Sequence, residues 1–428
     1  AGLGIIVGHT SHPEQRFSFA AARCFLAALL LFPICAELLA RLTFRLLGNA
    51  LPFTKKGRIT LQDGRRVFEG DIVRKGQSFV RTANTAYRNV NIRPEAREGG
   101  RYVLVASRSC PWAHRTIIAR NLLKLEGMVP LAGTATWDTP LFSAALPAVA
   151  TGGWQLKEPV PPGLLAAFRD APPVADAEDR WKVYRLYQSA DPGATGRVTV
   201  PCLFDAKDGK IVNNESADII RIFNGPLRNL SGHDESLIDL RPESVSASEL
   251  DEMNDLVYRV NNGVYKCGFA GKASSYVESK RDVFDALKRI SNRLETTRQP
   301  FLMGDQITEV DVRAFVTLLR FDLAYFHFFR VNDATLRRGF PLVHEYLLRM
   351  LSIREFSDSV DVLAHVTMHG IICQWEGRVA GNVTRWAIVL IHLLVGAARP
   401  DAPSWRRRFA SLILLPLRML ALYMPGYQ

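Results

Sequence analysis

The sequence predicts an α/β domain followed by an all-helical domain, with further helices at both ends. Three observations carry that prediction. An apolar run at Tyr102–Val105 reads as a buried strand and passes through a Cys-Pro step into a helical pattern. A second strand, a hairpin and a helix follow between residues 197 and 223. From about residue 246 onward, apolar residues recur only at helical spacing. The 428 residues suffice for two domains with sizeable cores, and 48% hydrophobic with 22% charged residues is ordinary for a folded chain.

The formal charge of +12 is unevenly spread. Residues 1–60 carry seven Lys/Arg against two Asp/Glu, residues 371–428 again seven against two, and the 310 residues between hold only +2. The same ends are the most apolar parts of the chain, which points to a lipid surface rather than nucleic acid as partner. In the first, Cys24–Ala36 is an uncharged run of 13 residues between Arg23 and Glu37; in the last, Trp386–Ala398 is another 13 between Arg385 and Arg399. Both fall short of the roughly 20 residues that span a bilayer as a helix. Interfacial amphipathic helices, short tilted spans with snorkelling arginines, helices docked on a large partner, and extra core helices all fit these runs.

Along the chain, residues 61–100 read as a polar lead-in arm and 101–230 as the α/β domain. After the strand at Tyr102–Val105, Pro111 suits the first position of a helix whose apolar residues include Ile117, Ile118, Leu122 and Leu123. Cys110 then lies at the helix N-terminus. Unpaired amides and the positive end of the helix dipole stabilise an anion there, and a thiol pKa of about 8.5 falls accordingly. The residue three after Cys110 is Ala113, so a two-cysteine redox cycle on one turn is disfavoured. The other cysteines, Cys24, Cys35, Cys202, Cys267 and Cys373, form no C-x-x-C pair and no metal-ligand spacing, so no metal is expected.

Residues 130–180 are weakly patterned and read as a long insertion or loop. One strand is predicted over Arg197–Phe204, a turn at Asp208-Gly209, a second strand at Lys210–Val212, and a helix opened by Asn213-Asn214-Glu215-Ser216. Strand, helix, hairpin and helix in that order are the layout of a thioredoxin-like domain. The helical domain spans 245–370. Leu250, Met253, Val257, Val260 and Val264 mark one helix, and Val283, Phe284, Leu287, Ile290 and Leu294 another. Thr308 and Asp311 form a capping box, with Ile307 positioned to staple onto Val312.

The strings SRSCPWAHR, GRVTVP, IVNNES, VNNGVYKCGFA, FLMGDQITEVDVRAF and LRFDLAYF occur in that order. Together they resemble the xi class of glutathione transferases, the glutathionyl-hydroquinone reductases, from about Phe79 to about Asp361. The resemblance implies a thioredoxin-like domain followed by the all-α transferase C-terminal domain, with glutathione as co-substrate. Position by position, Cys110 matches the catalytic cysteine and Pro201 the cis-proline, with the Val200 backbone pairing to the cysteinyl part of glutathione. Glu215 and Ser216 match the pair that holds the γ-glutamyl end, and Trp154 a tryptophan that packs on glutathione. Tyr265 and Tyr325 match aromatic positions near the acceptor pocket; ordinary core packing explains them equally well. His114 and Arg115 either add positive charge beside the thiol or merely pack on the helix.

The chain departs from the family beyond Asp361. A tyrosine pair that lines the acceptor site is absent from residues 362–370, and an apolar, arginine-rich tail follows. Two principal readings stay open. One is a membrane-associated, glutathione-dependent reductase of glutathionylated quinols. The other is a transferase-derived accessory subunit of a large organellar membrane assembly such as a respiratory complex, the mitochondrial inner membrane being preferred over the chloroplast. A third, lesser reading is a redox-sensing module in which Cys110 is glutathionylated without turnover.

Overall fold

The computed structural model describes residues 58–69, 78–79, 87–93, 99–135, 153–173, 180–230, 238–361 and 365. The expected terminal helices in residues 1–57 and 371–428, and the 362–364 and 366–370 segments that replace the tyrosine pair, lie outside the described residues. Among the described residues no helix is long and apolar enough to cross a membrane.

The expected lead-in arm contains a hairpin. β1 (Arg58–Gln62) pairs antiparallel with β2 (Arg65–Glu69). The Asp63-Gly64 dipeptide between two β-prone runs is the signal for such a turn. Both residues take positive φ, 48° and 72°. Glycine is required at the second: a Cβ on Gly64 would stand 1.8 Å from the Pro192 carbonyl oxygen. The Gly64 N–H donates to Ala194 O at 2.9 Å and Gln188 Nε2 donates to Gly64 O at 2.7 Å, which docks the turn on the α/β domain.

β3 (Tyr102–Ala106) is buried at every position. α1 (Pro111–Leu122) starts at the Cys-Pro step as predicted, and β4 (Leu131–Ala135) returns parallel to β3. The stretch 130–180, expected to be a long insertion or loop, contains regular elements: β4, the short edge strand β5 (Gln155–Leu156) and α2 (Pro162–Asp170) fall within it. The residues of β4, Leu-Ala-Gly-Thr-Ala, are mostly small and give little periodic signal. α3 (Tyr184–Ala190) follows.

The single strand expected over Arg197–Phe204 is two. β6 (Gly196–Arg197) joins β1, while β7 (Cys202–Asp205) joins β3. Between them lies Pro201, which has no N–H to give a ladder. β8 (Lys210–Asn213) completes the predicted hairpin, and α4 (Ser216–Ile222) the domain. The main sheet runs β5-β4-β3-β7-β8, with β3 and β4 the parallel pair. A buried Arg101–Asp205 ion pair at 2.9 Å fastens the start of β3 to the end of β7.

Every regular element described after residue 246 is helical. α5 (Ala247–Gly268) is capped by Ser246, whose Oγ accepts from Glu249 N at 3.2 Å. α6 (Ala273–Thr297) runs against it so closely that a Cβ on Gly263 would stand 2.5 Å from Val283 Cγ2. The five apolar positions predicted on each of these helices are all buried. α7 (Glu309–Arg320) begins with the predicted box: Thr308 N donates to Asp311 Oδ2 at 2.8 Å. The same buried carboxylate accepts from Leu302 N at 2.9 Å and Tyr346 Oη at 2.8 Å. Ile307 and Val312 are both buried, as the staple requires. A π-helical turn (Phe321–Tyr325), α8 (Leu336–Gly339), α9 (Pro341–Ser352) and α10 (Arg354–Ser357) finish the domain. α7 lies against both α1 and α5, which brings the α/β domain and the helical domain into one packed unit.

Candidate active site

The loop from β3 to α1 carries the sulfur. Ser107 and Ser109 hydroxyls bond each other at 2.8 Å, and Ser109 N donates to Ser107 Oγ at 3.2 Å, which fixes the turn. Cys110 is the N-cap of α1, with extended backbone (φ −83°, ψ 117°), and its carbonyl accepts from Ala113 N and His114 N at 3.1 and 2.7 Å. Its Sγ faces the Val200 carbonyl oxygen at 3.9 Å. The Val200–Pro201 peptide is cis, as the resemblance implies. Tyr187 Oη donates to Thr199 O at 2.9 Å and so steadies that segment.

Cys110, Cys202 and Cys267 are all free thiols and all buried. Burial pushes Cys202 up to about 12, and does the same to Cys267. Neither is a nucleophile near neutral pH. Cys110 differs from both in standing at a helix N-terminus beside buried cations.

Glu215 is the N-cap of α4: its carboxylate accepts from Ala217 N at 3.2 Å, and its own N–H donates to Asn213 Oδ1 at 2.8 Å. Ser216 Oγ donates to Glu215 Oε1 at 3.3 Å and accepts from Arg115 Nε at 3.0 Å. Arg115 also pairs with Glu215 at 3.6 Å and lies 4.8 Å over the Trp112 ring. Burial, then the neighbouring Arg313, bring its guanidinium down to about 9, and Glu215, Glu309 and Cys110 act the other way. It stays charged at neutral pH. Arg115 is thus tied to the Glu215–Ser216 pair, a link from α1 to α4 that sequence reasoning did not make.

Tyr265 and Tyr325 come together in an aromatic cluster. Their rings meet edge-on at 5.9 Å, and Phe329 lies 5.3 Å from each. Trp112, two residues past the sulfur, stands 6.5 Å from Tyr265. Burial, then Tyr325 and Cys110, push the Tyr265 hydroxyl well above its usual value. Both tyrosines are therefore packed core side chains that also border the region of the thiol. A crevice beside them is lined by Pro111, Trp112, Arg115, Asn261, Val316 and Thr317.

Trp154 lies immediately before β5, two strands from β3 and at the end of the sheet where the Cys110 loop begins. Its carbonyl accepts from Val183 N at 2.8 Å, which ties it to the start of α3. His114 is not the cation considered from sequence. It is fully buried, and desolvation, then Arg320 and Arg108, hold it well below its usual pKa, so it is neutral. Its Nδ1 accepts from Arg320 Nη2 at 3.1 Å, because a guanidinium only donates, and its Nε2 then donates to Ser359 Oγ at 2.7 Å. Among the described residues no three His, Cys, Asp or Glu side chains are grouped as metal ligands.

The chain can be set beside known proteins. The family model of the glutathione S-transferase N-terminal domain matches residues 109–224, and that of the C-terminal domain matches residues 276–349. The chain is 34% identical over 277 residues to the glutathionyl-hydroquinone reductase PcpF of Sphingobium chlorophenolicum, across 64% of this chain and 78% of that one. It is similar to the crystal structure of the xi glutathione S-transferase of Phanerochaete chrysosporium, with TM-score 0.56 and 36% identity, across 68% and 87%. It is also similar to glutathione-bound YqjG, a glutathione transferase homologue of Escherichia coli K-12, with TM-score 0.55 and 29% identity, across 77% and 94%.

Proposed function

The chain belongs to the xi class of glutathione transferases, and from that premise we propose that it uses glutathione to reduce glutathionyl-hydroquinones through a mixed disulfide at Cys110. The observation that carries this reading is the sulfur at the N-terminus of α1, facing the Val200 carbonyl, with the Glu215–Ser216 pair reached through Arg115 on the same helix.

Glutathione lies with its cysteinyl backbone against Val200 and its γ-glutamyl end at the start of α4. There Ser216 donates to the carboxylate and Glu215 accepts from the ammonium. The Cys110 thiolate attacks the glutathionyl sulfur. The Cys110–S bond to glutathione forms as the bond from that sulfur to the aromatic carbon breaks. The electron pair leaves with the ring, which takes up one proton and departs as hydroquinone. A second glutathione, as thiolate, attacks the mixed disulfide, giving oxidised glutathione and the free Cys110 thiolate. Tyr265 stays protonated in this pH range, so it serves as a hydrogen-bond donor to a phenolic oxygen, not as a base.

The accessory-subunit alternative rests on the two terminal segments and on the missing tyrosine pair at 362–370. Turnover of a glutathionyl-hydroquinone by the purified protein, compared with Cys110→Ser, tests the enzymatic reading. Activity is expected in the first and a loss of at least about a thousandfold in the second. Equally negligible rates in both overturn it.

A further inference from the structure

Arg320 ends α7 and is 0% exposed, heading the fully buried side chains by volume. Its hydrogen bonds go to uncharged acceptors. Nη1 donates to Val316 O at 2.5 Å; Nη2 donates to Arg108 O at 2.6 Å, His114 Nδ1 at 3.1 Å and His365 Nδ1 at 3.0 Å. Its Nε has no partner. Among the described residues it makes no ion pair. Arg101, Arg115 and Arg313 are matched by Asp205, Glu215 and Glu309, whereas Arg120 and Arg185, also buried, donate to uncharged acceptors as Arg320 does. An enclosed cation with no direct ion pair is costly, by several kcal/mol, and Asp361 acts on Arg320 only through space.

The acceptors of Nη2 are not random in sequence. Arg108 stands two residues before Cys110 and His114 four residues after it. One amino group therefore grips the chain on both sides of the sulfur. We infer that Arg320 is a positioning residue for the thiol chemistry, its buried guanidinium clamping the Cys110 turn and acting as the cation for which the Cys110 thiolate is the counter-charge. The inference rests on the reading of Cys110 as the reactive thiol.

The groups facing the sulfur favour this pairing. From α1, Arg115 is already matched by Glu215. From α5, Tyr265 keeps its proton, and from the loop before α1 the Arg108 carbonyl joins the clamp. His114 and His365 accept from Arg320 and bring no positive charge to those contacts. Burial lowers the Arg320 pKa, while Tyr325, Tyr265, Cys110 and Asp361 raise it, so the guanidinium is shared electrostatically between the sulfur and the Asp361 carboxylate. His365 belongs to the segment where this chain departs from the family pattern, so the clamp draws on a part of the sequence that the resemblance leaves unassigned.

The test is a titration of Cys110 by ultraviolet thiolate absorbance, taken as the difference from Cys110→Ser, which needs no quinol substrate. In Arg320→Gln the midpoint is expected to rise by about one unit or more relative to wild type. In Arg320→Lys, which keeps the charge but not the fork of hydrogen bonds, it stays near the wild-type value. An unchanged midpoint in Arg320→Gln overturns the inference even if hydroquinone turnover is found. A raised midpoint upholds it even if turnover is absent. Should Arg320→Gln fail to fold, Arg320→Lys and the pH dependence of stability decide. A thiol whose folded pKa lies below its unfolded value contributes stability that is complete above about pH 8.5 and is lost as pH falls through the folded value. Wild type is therefore expected to gain on Cys110→Ser as pH rises through neutrality, with Arg320→Lys keeping the gain, and a flat difference overturns the inference.

Discussion

Ser216 holds one hydroxyl between a cation and an anion, accepting from Arg115 and donating to Glu215. The proposed γ-glutamyl carboxylate would take over the donor that now serves Glu215. In Ser216→Ala the affinity for glutathione should fall about tenfold, the worth of one hydrogen bond to a charged group. Calorimetric titration of glutathione into Cys110→Ser with and without the second change measures it, and equal affinities would remove Ser216 from the site. The sequence marked Cys110, Pro201 and Ser216 because each sits in a short motif whose local geometry implies its chemistry. The Ser216 link of Arg115 and the whole role of Arg320 stayed unread for the opposite reason. Their partners, Ser216 for one and Arg108 with His114 for the other, are about a hundred and two hundred residues away. His114 was open to reading as a cation because nothing local shows that α7 seals it.

Among elements, α7 is the most heavily anchored. Glu309, its first residue and fully buried, pairs with Arg241 at 2.5 Å, Arg313 at 3.0 Å and Arg221 at 3.2 Å, and Asn254 Nδ2 donates to it at 2.8 Å. Burial pushes its carboxyl up, but Arg313, Arg221 and Arg241 together hold it below the ordinary value. A carboxylate depressed in the folded state contributes stability that is present above its unfolded pKa, about 4.3, and is lost as pH falls through the folded value. Glu309→Gln should therefore cost about 3 kcal/mol near neutral pH, and the deficit should shrink below about pH 4. Urea unfolding of both proteins across that range checks it; a deficit that does not change with pH would show that the charge is not what matters. The capping box at Thr308 and the periodic faces of α5 and α6 were legible because helix signals are local. Much of the β structure was not. β4 is built of small residues, β1 and β2 pair within a polar stretch, and the strand expected through Pro201 breaks where the ladder loses its N–H.

At the scale of the molecule, the described residues between 58 and 361 form one packed unit because the α/β domain and its lead-in arm share polar and aromatic joints with the helical domain. Lys124 pairs with Glu355, Ser78 Oγ meets Ser275 Oγ at 2.6 Å, and Phe79 packs 5.2 Å from Phe269. Such joints couple the two unfolding equilibria. Heating should give coincident midpoints by tryptophan fluorescence and by far-ultraviolet circular dichroism. Two separated midpoints would show that the domains melt independently. The order of the domains was readable from periodicity alone, but the joint was not, since its residues come from every part of the chain and form no motif.

The grip of Arg320 on Arg108 and His114 bears on descent as well as on chemistry. A hybrid that sets this thiol-bearing half on the helical half of another transferase would seal a neutral imidazole against a foreign side chain and leave the cysteine turn unheld. Grafts should therefore succeed only when the arginine travels with the loop it holds.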